Sequence, residues 1–383
     1  MEPIWEYTIK LIRFVLNGDV PELPENIDFE KLFAFGKSHG VENMLYVGLR
    51  DLHIDVPEET MQKFKTAYEM QIMVEATQAL ELEAISEAFE EAGIDHVPLK
   101  GSVIKYLYPM PDYRKSGDID ILIRPEDEAK VDSVMRVLSY HRNKGYDTHE
   151  VHFSYEKPPF IEVEIHRRLT AKSARAYKFC KYVWKYVNPD EKKKHLYKLT
   201  NEYHYMFLMA HLCRHLYLGG AGIKLFADVY VMNSRCSMNN QKINEYIRKA
   251  NLTKIHNLVL NMITKWFGDN CEQSPDVEIL ENIILKNGSF GTMEMRNMMI
   301  SNMTISAKMK RFIHSLFPSR RLLEKKYPNL KKYVWLLPLI WIYRILDIIL
   351  FQRSNIRNKL LQISGDGVRA NNIKNIVKLV RDK

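Results

Sequence analysis

The run Lys115-Ser116-Gly117-Asp118-Ile119-Asp120-Ile121-Leu122-Ile123 constrains this chain more than any other stretch. Its β-branched residues favour an extended backbone, in which residues two apart share a face. Ile119, Ile121 and Ile123 then form one apolar face, and Asp118 and Asp120 project together from the other. Like charges about 7 Å apart on one strand face repel, and Asp is disfavoured in strands in any case. A solvent-exposed polar face would merely tolerate the pair. A cation between the carboxylates removes the conflict, and Mg2+, held by one or two carboxylates plus substrate phosphates, suits such a site. The run is therefore a candidate centre for phosphoryl or nucleotidyl transfer.

A second strand supplies more acid. Phe160 to His166 alternates strictly, with Ile161, Val163 and Ile165 on one face and Glu162, Glu164 and His166 on the other. If this strand neighbours the first, a third carboxylate joins Asp118 and Asp120. Three carboxylates can hold two divalent ions that clamp the attacking and leaving oxygens of an in-line displacement. The third acid can also accept a proton from an attacking hydroxyl. Periodicity leaves Glu162 and Glu164 equivalent.

Upstream, Lys100-Gly101-Ser102 lies between a strand candidate at 95–99 and a helix from Val103 to about Tyr108. Glycine lets the backbone approach a ligand closely, and a helix N-terminus attracts phosphate. Ser102 adds a hydroxyl and Lys100 a charge. Arg114 and Lys115 are placed to meet a triphosphate or a leaving pyrophosphate.

The rest of the chain reads as helical flanks. Residues 1–92 carry apolar residues at helical spacing, with a helix start at Pro57-Glu58-Glu59 and a long helix from Met61 to Ala92 that stops at Gly93. Residues 93–170 read β-α-β-α-β-β, and 171–383 read helical again. The 383 residues are 46% hydrophobic, ample for a large core, and the formal charge of +9 admits polyanionic partners without choosing among them. Lys192-Lys193-Lys194 reads as a solvated loop. The four cysteines are scattered, so neither structural zinc nor a disulfide framework is indicated, and a reducing cytoplasm fits. Met1 to Glu6 has no basic segment followed by an apolar one, so no signal peptide is expected. Tyr333 to Phe351 is the most apolar stretch, but Pro338, Arg344 and Asp347 argue against a span. It reads as a core helix, with weak membrane-surface contact, helped by nearby lysines and arginines, as the alternative.

Val97-Pro98-Leu99-Lys100-Gly101, Leu107-Tyr108-Pro109, Arg114 and Gly117-Asp118-Ile119-Asp120-Ile121-Leu122 together resemble a group of uncharacterised bacterial nucleotidyltransferases in the DNA polymerase beta superfamily. That group pairs a Gly-Ser turn and Asp-x-Asp with an acid, an apolar residue and a His on a later strand. Glu164-Ile165-His166 matches, which selects Glu164 over Glu162. The resemblance extends to 208–232, where His211, His215, Gly219, Gly220, Gly222 and Asp228 fit. One departure is a longer gap between the Gly-Ser turn and Asp-x-Asp.

The resemblance implies an α+β fold, a small mixed nucleotidyltransferase sheet flanked by N-terminal and C-terminal helical regions. It implies transfer of NMP from an NTP to a hydroxyl of a sugar, RNA or protein, with pyrophosphate released. Asp118, Asp120 and Glu164 would bind two Mg2+ ions, Glu164 would help deprotonate the acceptor, and Lys100, Gly101, Ser102 and Arg114 would hold the triphosphate. The alternatives are a non-catalytic nucleotide-binding regulator, a toxin-type transferase acting on tRNA or protein, and an enzyme of surface-polysaccharide assembly. His211 and His215 have metal-binding spacing but no visible third ligand, so packing is expected of them. Asp228 is either a buried polar contact or part of the acceptor wall.

Overall fold

The computed structural model describes residues 3–22, 27–143, 145, 150–159, 161–218, 220–269, 274–289, 317, 320, 323, 327, 330 and 332–343. They fall into two compact units, one within Met1–Gly291 and one within Thr292–Lys378.

The larger unit begins with four helices: α1 (Pro3–Asn17), α2 (Phe29–His39), α3 (Glu42–Asp51) and α4 (Glu58–Glu91). Gly40 separates α2 from α3. It takes φ 67°, a left-handed conformation that glycine adopts without strain, and its N–H caps the end of α2. The start of α4 after Pro57 and its end before Gly93 follow the sequence expectation.

A mixed five-stranded sheet follows, ordered β1-β2-β5-β4-β3. Its strands are β1 (His96–Pro98), β2 (Ile119–Ile123), β3 (His141–Arg142), β4 (His152–Lys157) and β5 (Ile161–His166). Two short helices are interspersed, α5 (Gly101–Ile104) and α6 (Glu128–Val137). β2 and β5 run parallel, and every other pairing is antiparallel. One sheet face is apolar. Ile119, Ile121, Ile123, Phe153, Tyr155, Ile161, Val163 and Ile165 form a single buried cluster there with Ile85 and Phe89 of α4 and Val131 and Met135 of α6. The opposite face carries Asp120, Ser154, Glu164 and His166. The chain is thus α+β with helical flanks.

Three details differ from the sequence reading. The helix expected over 103–108 is α5 followed by a 3-10 turn at Lys105–Leu107. The edge strand β3 was not expected, being two residues long and too short to alternate. The stretch after 171 is not wholly helical. After α7 (Tyr177–Cys180) it forms a hairpin of β6 (Val187–Pro189) and β7 (Tyr197–Leu199), whose three-residue strands give no periodic signal. Lys192–Lys194 lie in its loop. Helices α8 (Asn201–Leu218), α9 (Ile223–Arg235), α10 (Asn240–Lys249), α11 (Thr253–Phe267) and α12 (Pro275–Asn287) complete the unit.

In the smaller unit, the apolar stretch is described as far as Tyr343, and Arg344 to Phe351 lie outside the described residues. Trp335, Leu339, Ile342 and Tyr343 are exposed, contrary to the expected core packing. Among the described residues no helix is long and apolar enough to cross a membrane.

The sheet core sets a stability prediction. Ile165 is fully buried, and Ile165→Ala is expected to cost about 2–5 kcal/mol. Val137→Ala, on the exposed face of α6, should stay within about 0.5 kcal/mol of the parent. Urea midpoints at a constant slope measure both, and equal midpoints for the two variants would contradict this packing.

Candidate active site

Register builds the site. In the parallel β2–β5 pair, Asp120 lies opposite Glu164. In the antiparallel β4–β5 pair, His152 lies opposite His166. These four side chains share the polar face, and Asp118 joins them from the residue before β2. One carboxylate oxygen each from Asp118, Asp120 and Glu164 lies within 4.8 Å of the others. Glu162 sits one pair farther along β5, opposite Glu156.

Two side chains already lean on Asp120. Lys100 Nζ is 2.6 Å from Asp120 Oδ1 and 4.0 Å from Glu164 Oε2. His166 donates from Nε2 to Asp120 Oδ1 at 2.7 Å, and that nitrogen is 3.4 Å from Glu164 Oε2. Burial alone would raise the Asp120 carboxyl, but Lys100 and His166 hold it far below the usual range. Asp118 has no such direct partner among the described residues. Its neighbour Asp120, and then burial, push its carboxyl up to about 6.

Lys100 reaches the acids from an unusual backbone. It has φ 45° and ψ −120°, and Ser102 N–H bonds to Leu99 C=O at 3.1 Å. This is the geometry of a type II′ turn with lysine where glycine is preferred. Strain of about 1–3 kcal/mol is typical of such a residue and points to a role for its side chain.

The loop that delivers Asp118 is pinned from several helices. Arg114 is buried and grips Asp228 of α9 with two 2.8 Å bonds, Nε to Oδ1 and Nη2 to Oδ2. Its Nη1 donates to Ser116 Oγ at 2.7 Å, and Tyr108 OH also donates to Asp228 at 2.8 Å. Asn43 of α3 donates to the carbonyls of Asp112 and Tyr113, and Gln71 of α4 to that of Arg114. Lys115 pairs with Glu42. Gly101 lies directly beneath the Arg114 guanidinium, where a Cβ would collide with Nη1. This close approach is a reason for glycine that the sequence alone did not reveal.

A cavity of about 780 Å3 opens over these groups. Lys100, Gly101, Arg114 and Ser116 line it with the three acids, whereas Ser102 is buried behind it. His211 and His215 face it from α8, with ring centroids 4.5 Å apart. Burial pulls the His215 imidazole down to about 4 and His211 well below its ordinary value, so both are neutral. Lys224 and Arg214 also line it, and neither shares an ion pair with a carboxylate among the described residues. Burial, then the nearby Arg114, lower the Lys224 ammonium to about 8. Asp228, left open between two roles by the sequence, is a buried partner of Arg114 that also reaches the cavity wall. Sequence reasoning missed Lys224, whose partners lie far away in the chain, and His152, an isolated histidine with no local pattern.

Two outcomes follow from this electrostatics. Asp228→Ala strands the buried Arg114 charge and should cost about 3–5 kcal/mol in chemical denaturation. The Asp118 carboxyl stands near 6 when folded against an ordinary value of 3.8. The native state therefore holds the extra proton, so the contribution of Asp118 to metal-free stability falls as pH rises from about 4 to about 6, opposite in sign to that of the buried neutral His211 and His215. Asp118→Asn should remove this one contribution, so its stability relative to the parent in EDTA should grow from about pH 4 to about pH 6 and stay higher above. A difference between the two proteins that does not grow through this window would contradict the geometry.

Comparison with known proteins bears on what this site serves. No curated protein matches the sequence. A crystal structure of an antigenic nucleotidyltransferase-like protein from Paracoccidioides brasiliensis is similar, at 11% identity, with 57% of this chain and 95% of that chain covered and a TM-score of 0.32. A model of a family described as "uncharacterised nucleotidyltransferase" matches residues 25–268, a span that holds the whole sheet, the acids and the helices α8 and α9. More than half of the chain is matched, and the chain belongs to this family of uncharacterised nucleotidyltransferases.

Proposed function

We propose that the chain transfers a nucleoside monophosphate from an NTP to a hydroxyl acceptor, with Mg2+ bound by Asp118, Asp120 and Glu164. The observation that carries this reading is the convergence of those three carboxylates within 4.8 Å in the wall of one cavity. The donor set fits the ion. It is all oxygen, as Mg2+ prefers, and the raised Asp118 carboxyl marks negative charge in need of a counter-ion. Bound Mg2+ would neutralise charge on the attacking and leaving oxygens.

The chain's own residues do the rest. Glu164 accepts the proton of the acceptor hydroxyl as its oxygen bonds to the α-phosphorus. The bond from that phosphorus to the bridging oxygen breaks, and pyrophosphate leaves. Lys100, held on its strained turn, turns its ammonium from Asp120 to a phosphate oxygen. Gly101 lets the backbone approach, and Ser102 bonds back to close the turn. Arg114 acts through Ser116: it donates to Ser116 Oγ, so that hydroxyl keeps its own hydrogen for a phosphate. Lys224 and Arg214 receive the charge of the pyrophosphate.

The test is incubation of the protein with each α-labelled NTP, Mg2+ and a cell extract. Label should appear in one sugar, RNA or protein fraction, with pyrophosphate released. Asp120→Asn should cut the rate by at least about 100-fold, equivalent to roughly 3 kcal/mol of transition-state stabilisation. Turnover by Asp118→Asn and Asp120→Asn equal to that of the parent would sink the proposal. NTP binding without pyrophosphate release would point instead to a nucleotide-binding regulator.

A further inference from the structure

His152, Glu164 and His166 form a second cluster beside the acidic one. A ring nitrogen from each histidine and one Glu164 oxygen lie within 4.8 Å of one another. His152 Nδ1 is 3.3 Å from Glu164 Oε2, and His166 Nε2 is 3.4 Å from the same oxygen. Zinc takes nitrogen and oxygen ligands at about 2.0–2.2 Å in a tetrahedron, whose edges are then about 3.3–3.6 Å. Both edges fall in that range. The third edge, between rings whose centroids are 5.2 Å apart, lies within 4.8 Å and must close to it for the ion to bind.

From this we propose a transition-metal site of the zinc class at His152, Glu164 and His166, with its fourth position open to the cavity. Imidazole selects for zinc or cobalt over Mg2+, so the two clusters differ in the ion they take although they share Glu164. His152 and His166 are opposed across the β4–β5 pair, so the backbone fixes their spacing before any ion arrives. In the metal-free protein the proton on His166 Nε2 points to Asp120 Oδ1. Metal binding moves that proton to Nδ1 or to solvent, and Nδ1 has no partner among the described residues. A ligating histidine whose other nitrogen lacks a partner binds metal about 10–100-fold more weakly than a supported one. The site is therefore exchangeable rather than permanently loaded.

The site shares Glu164 with the nucleotidyl-transfer centre, but its test uses no nucleotide. The full chain is titrated with Co2+ in excess Mg2+, and the visible d–d absorption of cobalt bound to nitrogen is followed. One equivalent should bind, and Zn2+ should abolish the band. His152→Ala and the bulkier His152→Gln should both lose the band while circular dichroism remains that of the parent. Asp118→Asn, which leaves this cluster intact, should keep it. A band that survives both His152 substitutions, or one lost with Asp118→Asn, overturns the proposal. So does the absence of cobalt binding in excess Mg2+. Loss of Mg2+-dependent turnover in Asp118→Asn with the cobalt band retained would leave both readings standing. Retained turnover with the band retained would remove only the nucleotidyl-transfer reading.

Discussion

The parallel pairing of Ile119–Ile123 with Ile161–His166 governs the molecule. Burying Ile119, Ile121, Val163 and Ile165 against α4 and α6 fixes which residues face the other way. Once Ile119 lies opposite Val163, Asp120 must lie opposite Glu164. A slip of one residue would turn the carboxylates into the apolar layer and the isoleucines into the cavity. The hydrophobic effect thus sets the spacing of the charges, and it holds like charges together against their repulsion.

That repulsion explains the surrounding hydrogen-bond donors. Lys100 and His166 both address one oxygen of Asp120, while Asp118 is left with a raised carboxyl. The arrangement is asymmetric. One acid is ion-paired directly within the protein, and the other has only the more distant Lys100 and Lys224 to offset its neighbours. The lysine does this from a backbone conformation that disfavours it, so its position reflects the demands of the carboxylates rather than those of the turn.

Much of this centre is visible in local sequence, because its key signal has a period of two. Alternating isoleucines and acids at 118–123 and 161–166 disclose both strands and their polar faces. Choosing Glu164 over Glu162 is beyond periodicity, since both share a face, and it rested on the Glu-Ile-His resemblance. Features made by distant partners are not legible. Arg114 reads as a phosphate ligand in sequence, yet its guanidinium is committed to Asp228 and Ser116. His152 matters only through a partner across a hairpin. The strands at 187–199 are too short to show a pattern, and the exposed apolar side chains at 335–343 look in sequence like a core helix.

The grip of Arg114 on Asp228 also ties together parts of the chain that could otherwise diverge independently. The Asp118 loop meets α3 through Asn43, α4 through Gln71 and α9 through Asp228. Three helices from both flanks thus hold one loop. A sheet excised at 93–170 would lose all three holds, so this sheet is not a portable module. Replacements at 101, 114 and 228 are energetically coupled: a larger residue at 101 is tolerated only where the arginine is gone, and the aspartate is then a liability. The three positions should vary together or not at all.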